Sequence, residues 1–224
     1  NGAGDFGILL ARVVGEKGGL TAFLVDKTEV RYAVRPLETM ILRSTGTSEL
    51  SFVDARVPRH ALIGRVGDGL RTILTTLNEG RVSVAAGAVG AAQRALDLSL
   101  DYARSRTQFG RPIGEFQLVQ ASIAQMATLV AASRLLCLDA AAALDDGQAG
   151  RLQASIAKKF ATESAHQVAS LALQVHGGCG YSTDLPLERI FRDTRGGMIP
   201  EGTSEIQTLI IGRELLGLSA FSER

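Results

Sequence analysis

One glutamate, Glu201, lies between Pro200 and Gly202 in the stretch IPEGTSEIQ (199–207), directly ahead of what reads as a helix start. A carboxylate in such a place either sits solvated beside a turn or, if the fold aims it at a substrate, works as a general base. Few other residues compete for a chemical role. His60, His166 and His176 have neither a second His nor a carboxylate at metal-ligand spacing, and Cys137 and Cys179 form no ligand pair, so no metal site is expected. His166 and His176 read as polar positions on or just after a helix. There is no G-x-S-x-G turn, no Walker A pattern and no dinucleotide fingerprint after a strand. Gly177, Gly178 and Gly180 are a weak signal by themselves, since a helix stop accounts for two of them.

The elements that must hold Glu201 follow from periodicity. Residues 1 to about 64 read as strands and turns. ILLARVV (8–14) and TAFLVDK (21–27) flank the turn GEKGG, while VRYAVRP (30–36) and ELSFVDARVP (49–58) alternate until Pro36 and Pro58 stop them. Gly64, Gly67 and Gly69 mark the change to helix. Apolar residues at three-and-four spacing then predict four helices, over 70–104, 117–145, 149–175 and 204–216. Asp145-Asp146-Gly147 closes the second, and Gly177 and Gly178 the third. Ser204 with Gln207 forms a capping-box pattern for the fourth, and Gly217 suits its C′ position. Gly80, Gly87 and Gly90 each weaken the first helix by about 1 kcal/mol relative to alanine, which points to close helix contacts or a ligand against the backbone. The fold class is α+β, mostly α: part of an antiparallel β domain (1–64), then an antiparallel four-helix bundle (65–224).

Composition narrows the partners. A net charge of +1 argues against electrostatic capture of nucleic acid or an anionic membrane. No apolar run approaches the roughly 20 residues that span a bilayer. Two cysteines in 224 residues make no disulfide scaffold, so a reducing compartment is the default. The chain starts NGAGDFG, without an initiator Met or a signal-like segment; targeting is not legible, and the start reads as a protein entered part-way through.

Four stretches in order carry more than their parts: RSTGTSELSFVDARVP (43–58), SRTQFGRPIGEFQLVQ (105–120), QVHGGCGYSTDLPLERIFRD (174–193) and IPEGTSEIQ (199–207). Together they resemble the acyl-CoA dehydrogenase family of flavoproteins. The resemblance covers essentially the whole chain, as the end of the family's β domain plus its C-terminal bundle. It implies FAD as cofactor and an acyl-CoA thioester as substrate. Arg106 is the guanidinium that reaches the FAD of the partner subunit, where it can fork onto a pyrophosphate. By the same resemblance, Phe109 offers an aromatic face near the cofactor and Gln117 an amide. Gln174, Gly177 and Gly178 match the loop that approaches the adenosine half, where glycine lets backbone come close. Thr203 and Glu205 match flavin-contacting positions.

In the family, the glutamate matching Glu201 removes the α-proton of the thioester while the β-hydrogen leaves as hydride to flavin N5. Gly202 then gives the thioester clearance. Asn78 and Arg81 match a substrate-contacting segment, and Arg81 is also placed to orient the Glu201 carboxylate. Some branches carry the base immediately before the arginine matching Arg81. Here that position is Gly80, and Glu79, about 100° around the helix, reads as a solvent or substrate-rim residue. Pro200 replaces an aromatic residue found in many members, which leaves acyl length and branching open. The resemblance further implies a homotetramer built as a dimer of dimers, and electron-transfer flavoprotein as acceptor. It implies the cytoplasm in a bacterium, or the mitochondrial matrix in a eukaryote. Two alternatives stand beside it: a non-catalytic fragment or homologue that keeps the bundle for oligomerisation, and a related acyl-carrier-protein dehydrogenase or flavin oxidase.

Overall fold

The computed structural model describes residues 4–14, 19–146 and 150–220. Residues 15–18 of the expected GEKGG turn, Gly147, and residue 149 at the expected start of the third helix lie outside the described residues. The chain divides into two compact units, Asn1–Leu77 and Asn78–Arg224.

The first unit holds β1 (Phe6–Ala11), β2 (Thr21–Asp26), β3 (Ala33–Pro36), β4 (Ser48–Ser51) and β5 (Leu62–Ile63). Strands β1, β2 and β5 form one antiparallel sheet with β2 central, in the register Phe6 opposite Asp26 and Ala11 opposite Thr21. Being central, β2 buries Thr21, Ala22 and Val25. Strands β3 and β4 make a separate two-stranded ribbon. Pairing is shorter than the alternation suggests: VRYAVRP joins a ladder only from Ala33, and ELSFVDARVP leaves it after Ser51, ahead of a left-handed turn at Asp54 (φ 48°).

The division between units falls within α1 (Gly69–Ser105). After it come a hairpin of β6 (Thr107–Gln108) and β7 (Arg111–Pro112), then α2 (Gln117–Asp145), α3 (Arg151–His176), α4 (Leu187–Gly197) and α5 (Ser204–Leu216). The core pattern fixes their directions. Ala92, Ala95 and Leu96 of α1 meet Met126 and Val130 of α2 and Ala165, Val168 and Ala172 of α3. Toward the other end Ala85 and Val89 meet Ala140, Ala157 and Ala161. Thus α2 runs antiparallel to α1 and to α3. Alanines at the contacts let the helix axes approach closely, and this packing, more than propensity, carries a helix containing Gly80, Gly87 and Gly90.

Among the described residues there are five α-helices, one more than expected. Helix α4 is short, and its stretch reads first as a motif rather than as an element. Leu187, Ile190, Phe191 and Thr194 nevertheless keep helical spacing, and Glu188 pairs with Arg192 one turn on at 2.7 Å. Leu187 is fully buried, which contributes roughly 1.5–3 kcal/mol.

A second correction concerns α2. By length and composition this helix is long and apolar enough to cross a membrane, one window reaching a mean hydropathy of 1.6. Gln, Ser and Thr, together with Arg134 and Asp139, interrupt its apolar run, so counting uninterrupted residues misses it. The helix buries Met126, Val130, Ser133, Ala140 and Ala143, as bundle helices do, and leaves Leu118, Leu135 and Leu138 exposed.

Candidate active site

The turn between α4 and α5 holds Glu201. It is closed by the Ser204 N–H, which donates to the Met198 carbonyl at 3.1 Å. Glu201 and Gly202 both adopt positive φ, 57° and 89°. For a glutamate this left-handed conformation costs about 1–2 kcal/mol, so something must enforce it. Its result is visible at Gly80 of α1. A Cβ built on Gly80 would stand 2.7 Å from Glu201 Oε2 and 3.0 Å from its Cδ, so a side chain there would have to push the carboxylate aside. The carboxylate occupies the space that the glycine vacates. Glu201 Oε2 is buried and meets no hydrogen-bond donor among the described residues. Gly87 and Gly90, by contrast, face open space; neither is required by a helix contact within this chain. Glu79 is exposed.

Three helices send side chains to this turn. From α1, Arg81 is buried, donates from Nη1 to Asn78 Oδ1 at 2.9 Å, and reaches the Glu201 backbone carbonyl through Nε at 3.4 Å. The expected contact from Arg81 to the Glu201 carboxylate is replaced by this backbone contact. From α5, Gln207 Nε2 donates to the Glu201 carbonyl at 2.9 Å and to the Gly202 carbonyl at 3.0 Å. From α3, Lys158 Nζ donates to the Gly202 carbonyl at 2.7 Å. A Cβ at Gly202 would stand 2.7 Å from Gln207 Nε2, so this glycine is demanded by α5 as well as by its own φ.

Burial dominates the electrostatics. It pushes the Arg81 guanidinium below its ordinary pKa, with Arg151 adding to the shift and Glu201 opposing it. It likewise pushes the Lys158 ammonium down, helped by Arg81 and opposed by Glu163, Glu201 and Glu205. Two buried cations therefore act on one half-buried carboxylate whose Oε2 is out of solvent.

The start of α5 differs from the expected capping box. Thr203, not Ser204, is the N-cap; its Oγ1 accepts from the Ile206 N–H at 3.4 Å. Gln207 cannot reach back to close the box because its amide is turned onto the two carbonyls. The Thr203 hydroxyl also bonds the Glu205 side chain, which holds that exposed carboxyl below its ordinary pKa.

The other sequence-predicted residues gather at the opposite end of α3. From Lys158 to His176 the helix advances about 27 Å. There Tyr102 of α1 stacks on His176 with ring centroids 4.3 Å apart, joining the two helix ends. Gln174, Gly177 and Gly178 are exposed beside this stack, Gly177 with φ 57°. Arg106, just past α1, and Gln117, opening α2, are also exposed. Phe109, at the β6–β7 turn, is 92% exposed and takes φ 52°, followed by Gly110 at 80°. One chain thus presents its candidate residues as two sets, not one pocket: Asn78, Arg81, Glu201, Gly202, Thr203 and Glu205 at one end of α3, and Arg106, Phe109, Gln117, Gln174, Gly177 and Gly178 at the other. Among the described residues no group of three or more His, Cys, Asp or Glu converges as a metal site.

Lys158 and Gln207 have no place in the expected set. The one signal for Lys158 was its position on the alanine stripe of α3, between Ala154, Ala157 and Ala161, where a lysine has small neighbours to pass between.

Comparisons with known proteins follow the same line. The family model described as acyl-CoA dehydrogenase, C-terminal domain, matches residues 67–216. The chain is 42% identical over 219 residues to an acyl-CoA dehydrogenase of Bacillus subtilis, covering 96% of this chain and 58% of that protein. It is 40% identical over 221 residues to an acryloyl-CoA reductase (NADH) of Anaerotignum propionicum, covering 96% and 56%. It is similar to the solved structure of butyryl-CoA dehydrogenase from Megasphaera elsdenii, with a TM-score of 0.90 and 35% identity over 96% of this chain and 57% of that one. The chain spans a little over half the length of these relatives.

Proposed function

The chain belongs to the acyl-CoA dehydrogenase family, and from that premise we propose that Glu201 is the base that takes the α-proton of an acyl-CoA thioester in α,β-dehydrogenation. One observation carries this: a buried carboxylate oxygen without a donor, held over a glycine by a turn that three helices clamp. Such an oxygen has a free lone pair, and a general base acts through geometry before acidity. Arg81 and Gln207 hold the Glu201 carbonyl, so the carboxylate swings from a fixed backbone, and the proton it takes is held at Oε2.

The residues fit FAD. Arg106 is exposed with its donors available, Phe109 stands clear of the fold, and the Gly177 loop leaves its backbone open to approach. When bound, FAD supplies the acceptor for the β-hydrogen as a hydride. The placement of the two sets at opposite ends of α3, which rises about 27 Å from Lys158 to His176, supports a homo-oligomer in which Arg106 of one copy serves the site of another. The exposed leucines of α2 support the same assembly, for which a dimer of dimers is the proposed form. Electron-transfer flavoprotein is the proposed acceptor and a reducing compartment, the bacterial cytoplasm, the proposed location.

A second reading reverses the direction. The acryloyl-CoA reductase relative is nearly as similar, at 40% over 221 residues, as the dehydrogenase at 42% over 219, and a glutamate that takes a proton in one direction returns it in the other. The electron partner then decides which way the reaction runs.

The test is Glu201→Gln in the full-length protein, with butyryl-, isovaleryl- and octanoyl-CoA as the panel. Visible flavin absorbance should be kept, and its bleaching by the preferred thioester should slow roughly 10²- to 10⁴-fold. Unchanged bleaching would put the base elsewhere, and a colourless wild-type protein would refute the flavin assignment.

A further inference from the structure

We infer that Lys158 is a positioning residue that sets the base from behind: its buried ammonium grips the Gly202 carbonyl and so determines where the Glu201 carboxylate lies. The inference rests on Glu201 being the base.

Lys158 has no exposed surface, an uncommon state for a lysine unless it is paired. Its hydrogen-bond partner is a backbone carbonyl, at 2.7 Å. That carbonyl already accepts from Gln207 Nε2 at 3.0 Å, so satisfying it did not require a charge. Withdrawing an ammonium from water to bond a neutral acceptor is a poor route to stability; Arg81 adds its own repulsion, and Glu163, Glu201 and Glu205 offset the cost only in part, since burial still pushes the ammonium down. What the charge does provide is a short, strong bond at a point where the backbone is strained. Glu201 is non-glycine at φ 57°, and such residues persist only where their surroundings over-determine them. Arg81 and Gln207 hold the carbonyl of the Glu201–Gly202 peptide, and Lys158 and Gln207 hold the carbonyl of the Gly202–Thr203 peptide. The two planes on either side of Gly202 are thereby fixed, and the first of them is also the plane that follows Glu201, whose side chain lies against Gly80. Without Lys158 the second plane is tied by Gln207 alone, and the turn that carries Glu201 can pivot at Gly202.

Lys158→Met keeps the length and volume of the side chain and removes the donor. In the full-length FAD-loaded protein, hydrogen exchange of the segment 198–208 is measured first. The Ser204, Ile206 and Gln207 amides report on the turn because their bonds close it. Exchange there should quicken while α2 and the rest of α3 stay protected. Turnover of the preferred thioester, deuterated at the α-carbon, is measured second. With flavin content matched to wild type, kcat should fall roughly 10- to 100-fold with KM little changed, and the isotope effect should rise as proton removal becomes slower. Unchanged exchange, or a loss of kcat that only follows flavin content, overturns the inference. If Lys158→Met does not accumulate folded, Lys158→Gln, which removes the charge and shortens the reach toward the Gly202 carbonyl, is measured in the same way. The Glu201→Gln experiment separates the two claims: full bleaching there defeats the proposed reaction whatever the exchange data show, whereas slow bleaching with unchanged exchange in Lys158→Met defeats the positioning role alone.

Discussion

Two turns in this molecule use the same backbone device for opposite purposes. At Phe109-Gly110 and again at Glu201-Gly202, a non-glycine residue at positive φ precedes a glycine at positive φ. The first pair tips a hairpin and throws its aromatic ring into the open, where Phe116 is the near ring at 6.1 Å. The second turns its carboxylate inward over Gly80 and is tied by side chains from α1, α3 and α5. Strain of the same kind is stored in both. At the carboxylate it is balanced by side chains of three helices; at the ring the side chain is left 92% exposed. The Glu201 end is therefore set within the chain, and the hairpin end stands open.

The sharpest way to break this contrast is to crowd the Glu201 end. Gly80→Ala places a methyl where the Glu201 carboxylate lies. The expected outcome is a fall in kcat of roughly 100-fold with flavin content unchanged, measured by steady-state turnover and absorbance. Near-normal turnover would mean that the carboxylate is not pinned. At the open end, Arg106→Ala should weaken FAD retention roughly 10- to 100-fold, as expected for one charged hydrogen-bonding group. Its thermal midpoint without added flavin should stay put, because exposed substitutions change stability by less than about 0.5 kcal/mol. A large loss of stability would make Arg106 a structural residue and blur the distinction.

The smallest effect concerns the stack beneath the open end. Burial pushes the His176 imidazole below its ordinary pKa, against the Ala172 and Leu98 backbone bonds that favour its charged form. The unfolded chain therefore takes up a proton at the ordinary histidine value while the folded chain still resists it. The stabilising contribution is complete above that value and declines as pH falls from it toward the folded one. Denaturant unfolding between about pH 7.5 and pH 5.5 should show a loss in wild type that His176→Phe reduces, with the ring stack on Tyr102 kept. An identical pH dependence in the two proteins would show that His176 is not the titrating group.

Much of the frame was legible because it repeats. The boundaries 117–145 and 204–216 came out as expected, since three-and-four spacing over many residues has few other solutions. Helix α4 escaped because its apolar spacing, though clear, repeats over only 11 residues, too few turns to stand apart from a loop. At the site, Glu201 stood out through its neighbours Pro200 and Gly202. The residues that hold it did not. A lysine in a helix reads as surface, and only the small side chains packed around Lys158 remove it from water. Arg81 was placed near Glu201, but whether a guanidinium meets a carboxylate or a carbonyl depends on the last torsion of each side chain, which no spacing encodes. Ser204 and Thr203 are both good caps by type; the extended backbone of Thr203 (ψ 165°), with the helix beginning at Ser204, decides between them.

The contact between Gly80 and Glu201 also limits what can be built on α1. A Cβ at position 80 and the Glu201 carboxylate claim one volume, so any side chain introduced there has to displace the carboxylate from its seat. The missing methyl of Gly80 is in that sense a part of the site: a recess in one helix cut to the outline of a group carried by another segment.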